Sequence, residues 1–461
     1  MAMTAANGPT VIERLARYAS GESFAKLPEP AVRAARRAIL DTLGVMLAGV
    51  GEDTAVRART LLARRPGTDA TVAGTALRAS IEDAALVNGV AAHALDYDDT
   101  HGSLSGHPSV PVLPPALALA ERDGLSGAAL ITAFVVGVEI ESKLGRAVNP
   151  AHYEAGWHAT STLGVFGAAA AAGSLLGLNA EAMARALAIA ASMSSGIKAN
   201  FGTDCKPWHG GHAARCGLEA AQLAAAGFTG NPQVLEHGDG FGSTHGAGMK
   251  PEWELTVAGL GAPHEIVTPG IGVKRFPACA STHQSLDAVL ALRERHGLKA
   301  EQIAKVECAM GYMAPHQLIY ERANTGLEGK FSMPYCVSVA LLDGAVGLAQ
   351  FMDERVRRAD VQALMSKVRM VVHPEQTTRD TYATRFSEVT VTLTDGGTLV
   401  ARVDQAKGAP RNPLTDAELE VKFRDAAGRV LPNDRVDALL RAVMTLETAA
   451  DVRPLARLLG V

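Results

Sequence analysis

Asn179-Ala180-Glu181-Ala182-Met183-Ala184-Arg185-Ala186-Leu187-Ala188-Ile189-Ala190-Ala191 decides the fold class. An asparagine able to cap a first turn precedes an unbroken run of strong helix formers, with no Gly or Pro to interrupt it. Ser126 opens Gly127 to Leu144 in the same way, and the apolar content there suits a buried central helix. From Val11 to about Leu260 such segments repeat, divided by Gly, Pro and polar clusters, which predicts a helical bundle.

Composition supports that reading. At 461 residues the chain exceeds the size at which one core keeps growing, so two domains are expected. Its 48% hydrophobic content with only 5% aromatic residues favours close helix packing by small side chains. The pattern changes after Gly259-Leu260-Gly261-Ala262-Pro263. Lys305 to Met310 and Val368 to Val372 read as strands, and Glu388 to Thr394 and Thr398 to Val403 form a hairpin around Asp395-Gly396-Gly397. Gln284 to His296 and Tyr335 to Phe351 read as helices between them. Helical character returns with the capping box Thr415-Asp416-Ala417-Glu418 and the stretches Asp434 to Leu446 and Asp451 to Leu459. The expected fold is mainly α, a large all-helical domain (1–266 and 409–461) interrupted by a smaller α+β domain (267–408).

Forty-four Lys and Arg against 48 Asp and Glu give a net charge of −4, too balanced for a nucleic-acid binder. The five cysteines are dispersed, without a Cys-x-x-Cys pair, which suits free thiols in a reducing compartment. No charged leader with an apolar run opens the chain and no apolar stretch reaches membrane-spanning length, so a cytoplasmic protein without membrane partners is expected.

Titratable residues concentrate in four stretches beside Gly and Pro. They are His93 to Thr100 with His107-Pro108, Gly156-Trp157-His158 on to Thr162, Gly202-Thr203-Asp204-Cys205-Lys206-Pro207-Trp208-His209, and Lys274-Arg275-Phe276-Pro277 with Thr282-His283. Asp96, Asp98 and Asp99 at the end of the Ile81 to Ala94 helix either bind a metal, form a proton network, or brace the loop. His107 and His158 in glycine-containing loops can be presented to a ligand. Pro207 holds the backbone at Lys206, for which a salt bridge to Asp204 is the competing role. Lys274 and Arg275 suit carboxylate binding. Tyr335 offers a phenol donor or simple packing, and His209 with His212 reads as support. Absent are the glycine fingerprints of nicotinamide and ATP sites, the serine-hydrolase elbow and zinc signatures. An aspartate-rich helix end also suits the magnesium sites of isoprenoid synthases, but no second metal motif or aromatic wall accompanies it. A non-catalytic helical binding protein is the remaining alternative.

Asn88-Gly89, His93, Asp96-Tyr97-Asp98-Asp99-Thr100, His107-Pro108, Gly156-Trp157-His158, Lys206-Pro207 and Lys274-Arg275-Phe276-Pro277 together resemble the MmgE/PrpD family, in order and over nearly the whole chain. The family includes 2-methylcitrate dehydratase, cis-aconitate decarboxylase and iminodisuccinate epimerase. The resemblance implies a helical domain interrupted by an α+β lid, a homodimer, a small polycarboxylate substrate, and neither metal nor cofactor. It carries the pocket to Asp96, Thr100, His107, His158, Lys206 and His283, with Tyr335 beside them. His101 stands where several relatives have tryptophan.

The expected activity is that of a hydro-lyase acting on a 2-methylcitrate-like acid, with decarboxylation or epimerisation as alternatives in the same pocket. His107 and His158 would exchange protons with the substrate, Asp96 would orient a histidine, and Lys206 would stabilise charge developing on a carboxylate. Thr100, Lys274, Arg275, His283 and Tyr335 would bind substrate, the last four from the inserted domain.

Overall fold

The computed structural model describes residues 8–246, 248, 250–378 and 385–461. It is mainly helical and falls into two units, residues 1–271 with 416–461 and residues 272–415.

In the first unit the expected caps form: Asn179 Oδ1 accepts from the Ala182 N–H at 2.9 Å and Ser126 Oγ from Ala129 at 3.2 Å. They open the helices Ala180–Met193 and Gly127–Val148, and the second is buried along nearly its whole length. Small residues let these helices meet backbone to backbone. A Cβ at Gly211, on the helix Cys205–Ala225, would lie 2.2 Å from the Leu86 carbonyl oxygen of the helix Ile81–His93. A Cβ at Gly89 would lie 2.7 Å from the Gly211 Cα. Only glycine allows this crossing, and it brings two helix ends carrying the titratable stretches side by side.

The unit is not wholly helical, because Ala70–Thr71 and Arg78–Ala79 pair as a two-residue antiparallel ladder. Its C-terminal helix Asp416–Ala427 packs on Glu29–Gly49, where Phe423 fills the space a side chain at Gly44 would need. Asn433–Met444 and Arg453–Leu459 follow.

The second unit holds a four-stranded sheet in the order Val368–Val372, Ile303–Met310, Ser387–Leu393, Thr398–Val403, the first pair parallel and the others antiparallel. Register pairs Val306 with Val391 and Cys308 with Val389, and all four side chains face the core. The helices His283–His296 and Met333–Asp343 contribute Leu286, Val289, Val337 and Val339 to that core. The helix expected to reach Phe351 stops at Asp343. Gly344 takes φ +70° and only a short 3₁₀ turn, Leu348–Phe351, follows, because two glycines at 344 and 347 interrupt the helical backbone.

Among the described residues no helix is long and apolar enough to cross a membrane. The five cysteines are all free thiols.

Candidate active site

The helix Ile81–His93 ends at His93, and the chain then turns sharply. Asp96 takes φ +51°, a left-handed conformation that aspartate tolerates better than most residues because its short polar side chain bonds locally. Asp99 tethers the far end of the turn, accepting from the Ser109 hydroxyl and from the Ser109 N–H at 3.3 Å where the helix Ser109–Asp123 begins. His107 is held just before that helix by its N–H, which donates to Thr160 Oγ1 at 3.0 Å. His158 is fixed by its own N–H on the Gly196 carbonyl at 3.0 Å. Lys206 and His209 sit three residues apart in the opening turns of Cys205–Ala225, so both point to one side of that helix.

These elements converge. The Lys206 ammonium donates to Asp96 Oδ1, and His107 Nε2 lies 3.7 Å from the same oxygen. Asp98 Oδ2 lies 2.9 Å from His107 Nδ1 and 2.8 Å from His93 Nδ1. The His93 ring stacks on His158 at 5.7 Å, and His158 Nδ1 lies 3.0 Å from His209 Nδ1. Phe201 closes one wall, its ring edge to face with His158 at 4.8 Å.

Burial sorts the roles. The side chains of His93, Asp98, Lys206 and Asp96 are 0%, 0%, 3% and 4% exposed, whereas His107 is 12% exposed and is the member of this set best placed to meet a ligand. Burial lowers His93 to about 3, with Lys206 adding to the effect and Asp98 opposing it, so that ring is neutral at physiological pH. His158 is pushed well below the usual imidazole range by burial, then by Lys206 and the neighbouring rings. Burial lowers His209 to about 4. Burial alone would raise Asp98, but the imidazoles of His107 and His93 outweigh it and hold this carboxylate ionised.

Ligand atoms of His93, Asp96, Asp98 and His107 come within 4.8 Å of one another, a spacing a cation could use. The protein's own groups already meet these charges, however. Lys206 occupies Asp96 Oδ1, and two ring nitrogens converge on Asp98 Oδ2. An added dication would face the fixed ammonium.

Four residues expected from sequence, Asp96, His107, His158 and Lys206, therefore stand together, with Thr100 half-buried beside Asp99. The pairing of Lys206 with Asp204 does not form. Asp204 pairs instead with Arg57 at 2.5 Å, because the helix start turns Lys206 inward and leaves Asp204 outside. The set gains His93, Asp98, His209 and Phe201. His101 is buried, its Nε2 3.0 Å from the Glu265 carbonyl oxygen.

The other expected residues lie in the second unit. Lys274 is buried there. Arg275 pairs with Asp287 at 2.8 Å and lies over the Phe276 ring. His283 opens its helix with Nε2 3.3 Å from the Ala278 carbonyl oxygen and its ring against Phe276. Tyr335 is fully buried, donates its hydroxyl to the Gln350 carbonyl oxygen, and packs on Gly329 and Phe351.

A buried, charge-compensated array of imidazoles, carboxylates and one ammonium has the groups that proton transfer and stabilisation of developing negative charge require. The chain belongs to the MmgE/PrpD family: it matches the MmgE/PrpD N-terminal domain over residues 13–254 and the C-terminal domain over residues 276–448. It is 34% identical to the cis-aconitate decarboxylase of Mus musculus, covering 98% of this chain and 93% of that one. It is 33% identical to the Homo sapiens cis-aconitate decarboxylase, covering 98% and 94%. It is 29% identical to a cis-aconitate decarboxylase of Aspergillus terreus, covering 98% and 96%. The protein is an enzyme of the lyase class, and its family sets aside the isoprenoid-synthase alternative.

Proposed function

We propose that this lyase decarboxylates cis-aconitate or a close tricarboxylate. The observation that carries the reading is a single accessible imidazole, His107, set between two carboxylates, with the other rings of the site buried and electrically neutral. Dehydration of a 2-methylcitrate-like acid, the leading expectation from sequence, needs an acid and a base that are both in reach of substrate. Decarboxylation needs one proton donor and a cation. The resemblance to three cis-aconitate decarboxylases favours the same choice.

In the proposed reaction the bond between the methylene carbon and its carboxylate breaks and carbon dioxide leaves. The bonding pair forms a new double bond, and the former double bond's electrons move onto the carbon beside another carboxylate. The Lys206 ammonium stabilises the charge as it spreads onto that carboxylate. His107, with carboxylates beside both ring nitrogens, delivers a proton to the carbon, while Asp98 and Asp96 hold the ring in place. His93 and His158 pack the array, and Thr100 donates to a substrate oxygen. Lys274 and His283 remain in the proposal as carboxylate-binding residues on the resemblance alone. Arg275 and Tyr335 stay in it on the same ground, the guanidinium half-exposed with one nitrogen on Asp287 and the hydroxyl on the Gln350 carbonyl oxygen. A homodimer and a cytoplasmic location likewise stay as proposals.

The test is incubation with cis-aconitate, 2-methylcitrate and iminodisuccinate, with products followed by mass. Loss of carbon dioxide from cis-aconitate alone is expected. Loss of water from 2-methylcitrate without decarboxylation of cis-aconitate would overturn the assignment.

A further inference from the structure

The aspartate turn carries two carboxylates of the site on a strained backbone, so something must hold it. The tether comes from the far end of the chain. Lys422, on the returning helix Asp416–Ala427, donates to the Tyr97 carbonyl oxygen at 2.9 Å, and its ammonium lies 4.0 Å from the Tyr97 ring centre. Tyr97 stands between Asp96, which takes the Lys206 ammonium, and Asp98, which takes both His93 and His107. The ammonium is itself fixed at 2.6 Å from Asp41 Oδ1, and the two side chains are 5% and 1% exposed. Asp41 and Gly44 share one face of the helix Glu29–Gly49, and Phe423 packs against Gly44, which sets the position from which Lys422 reaches the turn.

We infer that Lys422 is a positioning residue: clamped by Asp41, it holds the Tyr97 carbonyl and thereby fixes the left-handed Asp96 turn so that Asp96 and Asp98 face Lys206 and His107. Asp98 and Asp99 also act electrostatically on the same ammonium, and burial favours its neutral form while Asp41 favours the charged one. The competing role is a purely structural ion pair between two helices. That role is satisfied by any neutral, well-packed replacement of both partners. Positioning additionally requires a donor to the Tyr97 carbonyl.

The experiment compares two charge-neutral double variants of the full chain, Asp41→Asn with Lys422→Met and Asp41→Asn with Lys422→Gln. Glutamine keeps an N–H donor and methionine does not. Both are expected to melt at similar temperatures. The methionine variant is expected to lose about 10- to 100-fold in kcat with KM changed less than about threefold, since a shift near 1 Å at reacting groups has that consequence. The glutamine variant is expected to recover about tenfold or more of that loss. Equal kcat in the two double variants, or full activity in a folded methionine variant, would overturn the inference.

The inference rests on the proposed reaction only for its turnover assay. The ring ¹⁵N resonances of His93 and His107, whose Nδ1 atoms lie 2.8 and 2.9 Å from Asp98 Oδ2, read the position of the turn without substrate. They are expected to match the native protein more closely in the glutamine variant. Wild-type inactivity toward cis-aconitate with that NMR difference present would strike the proposed reaction alone. Identical resonances in both variants would strike the positioning role.

Discussion

Replacing Gly211 with alanine tests the link between helix packing and catalysis, because the residue touches no reacting group. The added methyl would start 2.2 Å from the Leu86 carbonyl oxygen and 2.8 Å from Val90 Cγ2. Real Cβ atoms essentially never approach below 3.0 Å, so the Cys205–Ala225 and Ile81–His93 helices must separate by about 1 Å. Backbone on backbone leaves no flexible side chain to absorb the change, and overpacking of this kind costs about 1–3 kcal/mol. Lys206 and His209 precede Gly211 on one helix, and His93 ends the other. A displacement near 1 Å between them moves the Lys206 ammonium relative to Asp96 and lowers kcat by about 10²-fold. Steady-state carbon dioxide release and a thermal melt on the same sample read both effects. Native turnover together with a native melting temperature would refute the reasoning that this crossing sets the site.

Lys206→Met leaves Asp96 buried without its ammonium, so a loss of about 3–5 kcal/mol in chemical denaturation is expected, with turnover abolished. Adding Asp96→Asn should return most of the stability and none of the activity. His107→Gln keeps the fold and is expected to lower kcat by about 10²–10⁴-fold, and stopped-flow or coupled assays would show a smaller loss if another group delivers the proton. His93 falls from 6.5 to about 3 on folding, mainly through burial, so its contribution to stability is present above the unfolded value and is lost as pH falls from about 6.5 through 3. Asp99 moves the opposite way, raised from 3.8 to about 8 by burial against the Ser109 hydrogen bonds. Its contribution is present at acid pH and is lost as pH rises from about 4 through 8, so Asp99→Asn should flatten the alkaline side of a stability profile measured by urea titration.

Local patterns made much of the fold legible. Capping residues and alanine-rich periodicity mark the helices, and the period-two segments at residues 305–310, 368–372, 388–394 and 398–403 lie within a residue or two of the strands observed. What escaped was set by long-range contact. Nothing near Lys206 in sequence says that its partner is Asp96 rather than Asp204, and the choice is made by a glycine-mediated crossing of distant helices. His93 and Asp98 were within view, Asp98 open between a metal site, a proton network and loop bracing, and their pairing beside His107 could not be read locally because His107 must fold back over the turn. His209 carried one usable signal: it lies three residues after Lys206 at a helix start, on the same side. Tyr335 and Arg275 have the chemistry of binding residues, and the contacts they make within their own unit, with Gln350 15 residues on and Asp287 12 residues on, belong to tertiary packing that no local pattern announces. Lys422 had no local signature, because its partners lie more than 300 residues upstream.

The central claim is that one buried array delivers a single proton to carbon as carbon dioxide departs. Incubation with cis-aconitate in deuterium oxide, following released carbon dioxide and product mass together, tests it most directly. One carbon-bound deuterium in the product is expected for each carbon dioxide released. Deuterium uptake or water gain without carbon dioxide release would contradict it.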